Sequence, residues 1–135
     1  MQFNTYLNFR GDCEAAFDFY ASVLGGTVVK FRFGESPMAS QFGEEWQGKI
    51  MHACLTAGGQ SIMGCDAPPG MQETVGGFSV SIMVDDSAEA ERIFAALAEG
   101  ATVRMPIQET FWAYRFGMLV DRFGTPWMVN HNKPM

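Results

Sequence analysis

The chain repeats itself, and this limits its possible folds more than any other feature. Residues 5–29 lie on residues 79–103 at a constant offset of 74 without a gap, pairing Thr5 with Ser79, Asp12 with Asp86, Ala16 with Ala90, Tyr20 with Phe94, Gly26 with Gly100 and Val29 with Val103. Two later hairpin-like segments match at an offset of 65, Gly59 on Gly124 and Met63 on Met128. Agreement in order, helix starts and helix stops marks a repeated supersecondary unit. The expected fold class is α+β: two βαβββ repeats forming curved mixed sheets around a central cavity, each sheet carrying a helix on one face.

Local chemistry supplies the elements. Residues 3–9 read as a strand, after which Gly11-Asp12 starts a helix with Asp12 as N-cap. Cys13, Ala16, Phe17, Tyr20, Val23 and Leu24 recur at three- and four-residue spacing and form one apolar stripe, which Gly25-Gly26 ends. A strand at 27–33 leads into a polar loop at 34–46, long enough to be the lid or wall of a site. Residues 49–56 and 60–65 then flank Gly58-Gly59. A two-residue turn there sets His52 opposite Cys65 and Cys54 opposite Met63. Repeat one spans 1–66, a linker 67–76 and repeat two 77–135, together a single domain. In the second repeat, Asp86 and Glu89 have capping-box spacing at the head of a helix over 87–99, closed by Gly100. Its hairpin, FWAYRFGMLVDRFGTPWMVN over 111–130, turns at Asp121-Arg122-Phe123-Gly124, with Asp121 capping its own turn.

Charge and cysteine usage exclude several functions. A net charge of -6 with no basic run argues against nucleic-acid and anionic-membrane partners. No apolar run approaches the roughly 20 residues of a membrane-spanning helix. Met1-Gln2-Phe3-Asn4 does not open a signal peptide. Cys13, Cys54 and Cys65 form neither a CxxC pair nor an even framework, so the expectation is a reduced, cytoplasmic protein.

The repeat order, the segment NFRGDCEAAFDFYASVLGG and above all residues 111–130 resemble the PhnB-like branch of the vicinal oxygen chelate superfamily, which includes glyoxalases, extradiol dioxygenases and bleomycin-resistance proteins. The branch is sometimes labelled demethylubiquinone methyltransferase-like, but no glycine-rich nucleotide loop follows a strand here. In the metal-using members, the resemblance implies four ligands from the first and fourth strands of each repeat. Those positions fall on Thr5, Met63, Ser79 and Met128, none of which offers an imidazole or carboxylate. The departure from that pattern at all four positions leads to the expectation of no metal and no cofactor in this chain. The resemblance also implies a homodimer, in keeping with open sheet edges that a partner can cover.

Three residues are candidates for chemistry. His52 and Cys65 are expected on one face of the first hairpin, read first as a packed strand histidine beside an inert thiol, the alternative being a Cys/His nucleophile pair. Arg115, set among Phe111, Trp112, Tyr114 and Phe116, offers a fork of donors to an anionic group, or else pairs with a neighbouring acid. Trp46, Met63, Trp112, Tyr114, Arg115 and Met128 are the expected ligand-binding residues, and ten methionines add adaptable apolar surface. The first functional reading is a protein that binds a small organic molecule between its repeats. The alternative is a lyase, isomerase or dioxygenase-type enzyme using His52, Cys65 or Arg115.

Overall fold

The computed structural model describes residues 1–134; Met135, the last residue of the expected second repeat, lies outside them. The chain divides into two compact units between Thr74 and Val75. In the first, strand β1 (Thr5–Phe9), helix α1 (Cys13–Leu24), strand β2 (Thr27–Arg32), strand β3 (Ile50–Ala57) and strand β4 (Gln60–Asp66) form one mixed sheet in the order β1-β4-β3-β2. The second unit repeats this with strand β5 (Val80–Met83), helix α2 (Ser87–Leu97), strand β6 (Thr102–Gln108), strand β7 (Ala113–Val120) and strand β8 (Pro126–Asn132), ordered β5-β8-β7-β6. Both are βαβββ units of an α+β fold, as the offset of the repeat requires.

Each helix buries an apolar stripe, with Leu24, expected in the first, only half-buried. Cys13, Ala16, Phe17, Tyr20 and Val23 are buried on α1, and Ala90, Ile93, Phe94 and Leu97 on α2. Each large side chain so buried stabilises by about 1.5–3 kcal/mol. Beneath α1 lie Leu7, Phe9, Ile50 and Leu55; the second core holds Leu119, Trp127 and Val129. One glycine in each sheet lets the helix come close. A Cβ on Gly64 would sit 2.8 Å from the Phe17 ring, and one on Gly117 would sit 2.6 Å from the Phe94 ring.

The first hairpin turns at Gly58 and Gly59 with φ of 58° and 77°, the left-handed pair that a tight two-residue turn demands. Pairing of Ala57 with Gln60 and of Cys54 with Met63 follows, as expected. Asp121 caps the second hairpin: its Oδ1 accepts the N–H of Phe123 at 2.8 Å and of Thr125 at 3.0 Å, and its Oδ2 accepts the Trp127 indole N–H at 2.8 Å.

The expected Asp12 cap does not form. Asp12 occupies the N-cap position of α1 but makes no side-chain capping bond. Buried Asp66, at the end of β4, takes over: Oδ1 accepts the N–H groups of Gly11 at 2.8 Å and Cys13 at 3.0 Å, and Oδ2 that of Ile50 at 2.9 Å. This buried carboxylate binds the N–H groups on either side of Asp12, not the second or third helical N–H that an N-cap side chain takes. In α2 the cap does form, with Asp86 Oδ2 accepting the Glu89 N–H at 3.0 Å. Glu89 itself turns to Arg92 at 2.6 Å.

Candidate functional site

The face of the first sheet turned away from α1 is built from alternate residues of its strands. Register sets Tyr6 beside Met63, Met63 beside Cys54, and Cys54 beside Val29. In the next row Asn8 lies beside Cys65 and Phe31 beside His52, with His52 and Cys65 the residues just outward of the Ala53–Gly64 pair. Thr27, Thr56 and Ser61 form a third row. None of these residues is an Asp, Glu, Lys or Arg, whereas an ordinary solvated surface is about 25–35% charged. The cations of β2 lie on the opposite face, where Lys30 pairs with Asp18 at 2.8 Å and with Glu14, and Arg32 also pairs with Glu14.

A polar cluster runs across this face. The Tyr6 hydroxyl shares a hydrogen bond of 3.2 Å with His52 Nδ1, and the two rings stack with centroids 5.8 Å apart. Tyr6 also hydrogen-bonds Cys65, and the Cys65 thiol donates to Asn8 Oδ1 at 3.3 Å. Burial, then Cys65, pushes the Tyr6 phenol well above its ordinary value, so it stays protonated. Burial also raises the Cys65 thiol, outweighing the opposite pull of Tyr6. Both groups are neutral hydrogen-bonding partners at physiological pH. Cys65 is not held as a thiolate, which sets it apart from an activated nucleophile.

The other candidates are distributed around the two units. Trp46 packs edge-on against Phe33 at 5.8 Å, and Phe33 meets Phe42 at 4.6 Å. This cluster folds the 33–49 segment into short 3-10 turns, which the Gln47 amide secures by donating to the carbonyls of Ala39 and Phe42, each at 2.9 Å. Trp112 contacts Phe111 and Phe116. Tyr114 packs on His131 at 4.9 Å, and His131 Nδ1 is bound to the Ser87 hydroxyl at 2.8 Å. Arg115 reaches α2, donating to Glu91 Oε1 at 2.8 Å and to the Tyr114 carbonyl at 2.6 Å. The pairing with a neighbouring acid is thus the arrangement found. Met63 and Met128 both lie on the faces turned away from the helices, Met128 beside Met118 and Ser81.

Register puts two of the four positions equated with metal ligands off the row of the other two, and sets Tyr6 and Ser81 in their place beside Met63 and Met128. Thr5 pairs with Ile62, so it shares the helix-side face, and the β1 residue beside Met63 is Tyr6. Ser79 precedes β5, and the residue beside Met128 is Ser81. Side chains alternate with a period of two, so a slip of one residue moves a position to the other face. The replacements leave the donor set without an imidazole or carboxylate, and among the described residues no group of three His, Cys, Asp or Glu converges to hold an ion. The residues present do not fit a hard or borderline divalent metal. Tyr6 and Asn8 were the residues missed. Their signal was the alternation against Leu7 and Phe9, both buried.

Comparison with known proteins adds the family. The family model described as 3-demethylubiquinone-9 3-methyltransferase matches residues 1–130. The chain belongs to that family. The structure of PA1353 from Pseudomonas aeruginosa is 48% identical, covers 96% of each chain and superposes with a TM-score of 0.88. The PhnB protein of Bacillus cereus, 23% identical over 96% of this chain and 98% of its own, shares the fold at a TM-score of 0.74. So does a glyoxalase/bleomycin resistance protein/dioxygenase family enzyme from Burkholderia phytofirmans PsJN, 21% identical over 93% of this chain and 95% of its own, at 0.63. These two likenesses show the shared fold. The methyltransferase in the family's description implies a methyl donor such as S-adenosylmethionine, and the β1–α1 turn does not fit one. Arg10-Gly11-Asp12 is no glycine-rich cradle, and the N–H groups of Gly11 and Cys13 are engaged by Asp66.

Proposed function

We propose that this PhnB-like protein binds an uncharged small organic molecule on the sheet face that carries Tyr6, His52, Met63 and Cys65. The observation that carries this reading is the absence of any Asp, Glu, Lys or Arg along three rows of that face, combined with a hydrogen-bonding cluster at its centre. Burying a formal charge there would cost several kcal/mol without a counter-ion. A neutral ligand with one or two hydrogen-bonding atoms incurs no such cost. Met63 supplies a thioether that adapts to its shape. The ligand is held without the divalent ion of the metal-using relatives, because neither Tyr6 nor Met63 replaces a carboxylate.

Size-matched fragment libraries sorted into neutral, anionic and cationic members provide the test, read by NMR shifts of the assigned protein. Neutral fragments are expected to move Tyr6, His52, Met63 and Cys65 together, and Tyr6→Phe to weaken them. Hits that are mainly charged, or that perturb other residues, overturn the reading.

The assembly that goes with this function is a homodimer: Val29 and Phe31 on edge strand β2 are about half exposed, at 51% and 49%, and an open apolar edge favours a partner. A monomer mass in light scattering at micromolar concentration counts against it. Three unbridged cysteines suit a reducing compartment, the cytoplasm. Among the described residues, no helix is long and apolar enough to cross a membrane.

A further inference from the structure

The second sheet carries a sulfur feature of its own. On the face turned away from α2, register sets Met118 beside Met128 and Met128 beside Ser81, and it sets Met105 beside Met118 at a point where β6 shifts register on either side. Strand neighbours lie about 4.7–4.9 Å apart, and a methionine side chain has three rotatable bonds. Three consecutive thioethers can therefore converge above the row. All three methionines are half-buried, shielded but not sealed. Nothing in the row competes for the soft-donor role: Ser81 ends it with a hydroxyl that accepts from Asn130 Nδ2 at 2.9 Å.

We infer that Met105, Met118 and Met128 form a binding site for a soft monovalent cation, Cu(I) or Ag(I). Ion chemistry makes the selection. Thioethers are neutral, polarisable donors that hold soft ions, while Mg(II), Ca(II) or Zn(II) favours carboxylate, imidazole or thiolate. No converging group of those harder ligands competes among the described residues. Since a thioether has no proton to lose, binding here is independent of pH. A site made instead from Cys54 and Cys65 must deprotonate its thiols, and it strengthens as pH rises.

The experiment is an anaerobic titration of the intact protein with Cu(I) in competition with bicinchoninate, run between pH 6 and 8 on protein carrying 13C-methyl methionine. One equivalent is expected, with the methyl signals of Met105, Met118 and Met128 moving together and an affinity that is flat with pH. Met118→Leu keeps the volume and apolarity of the row and removes its central donor. It is expected to lower the affinity about tenfold or more, with an unchanged circular dichroism spectrum; Met105→Leu is the second variant. Wild-type affinity in both variants means that the row is only an adaptable apolar floor and overturns the site. Binding that leaves the three methyls unmoved and rises steeply with pH assigns the ion to thiols and overturns it equally.

Discussion

Asp66 holds the start of α1 from 53 residues away: its Oδ1 accepts the backbone N–H of Cys13 at 3.0 Å. The same carboxylate also binds Gly11 and Ile50, so the end of β4, the β1–α1 turn and the first residue of β3 share one buried anion. Asp66→Ala removes the acceptor from three backbone donors at once and is expected to destabilise by about 3 kcal/mol. Urea unfolding measures it. Asp12→Ala, which deletes no capping bond, is expected to stay within about 0.5 kcal/mol of the parent, whereas Asp86→Ala loses a real cap and costs about 1 kcal/mol. Equal effects of Asp12→Ala and Asp66→Ala would remove Asp66 from this role.

Helix-to-sheet packing in the second unit leads to a paired test. Gly117→Ala drives a methyl to within 2.6 Å of the Phe94 ring and 3.1 Å of Ile107 Cα. Overpacking of this kind costs about 1–3 kcal/mol. Phe94→Leu in the same chain makes room, so the double variant is expected to be more stable than the sum of the single losses predicts. Gly64→Ala behaves differently, because its methyl also meets the Leu7 carbonyl oxygen at 2.8 Å, which no side-chain substitution clears. Strict additivity in the Gly117/Phe94 cycle would show that the ring is not the obstacle.

Acid sensitivity has a local source on α1. The Arg32 guanidinium and the Lys30 ammonium lower the Glu14 carboxyl from its ordinary 4.5 to about 2. A carboxyl depressed in the folded state contributes stability that is present above pH 4.5 and is lost as pH falls from there through about 2. Because Glu14 keeps 41% of its side-chain surface exposed, solvent limits the contribution to about 1 kcal/mol or less. Glu14→Gln is therefore expected to lower stability slightly at pH 7 and to flatten its pH dependence between 4.5 and 2, followed by thermal unfolding across that range. An unchanged acid limb means that other carboxylates carry it.

Particular residues explain what could be read from the sequence. The helices were legible because Phe17, Tyr20, Ile93 and Phe94 recur with helical period and glycines close both runs. The first hairpin was legible because Gly58-Gly59 permits one tight turn, and that turn sets every pair from Ala57 to Ala53. Asp66 was not, since its partners lie far along the chain and no local pattern announces them. Thr5 was read as the β1 position of the site, whereas buried Leu7 and Phe9 send Tyr6 and Asn8, not Thr5, to the face of Met63. Arg115 sits among aromatics in sequence, but its bond to Glu91 depends on how α2 lies across β7, which strand periodicity does not specify.

The Tyr6–Cys65 contact gives a prediction whose sign runs against simple access. Tyr6 donates a hydrogen bond that favours the Cys65 thiolate, while burial, the larger effect, disfavours it and leaves the thiol raised overall. Tyr6→Phe removes the favourable contribution and leaves most of the burial, so the Cys65 pKa rises further. Alkylation proceeds through the thiolate, so the variant is expected to react more slowly with iodoacetamide at pH 8–9, even though a polar neighbour has been deleted. The rate is followed by mass spectrometry of the peptide containing Cys65. Cys13 is an internal control: it is fully buried and its thiol is likewise raised by burial, so it remains unmodified while the fold holds. Faster alkylation of Cys65 in Tyr6→Phe, with Cys13 still protected, would mean that the hydroxyl shields the sulfur rather than stabilising its anion. The hydrogen bond across the Tyr6–His52–Cys65 cluster would then lose its electrostatic role.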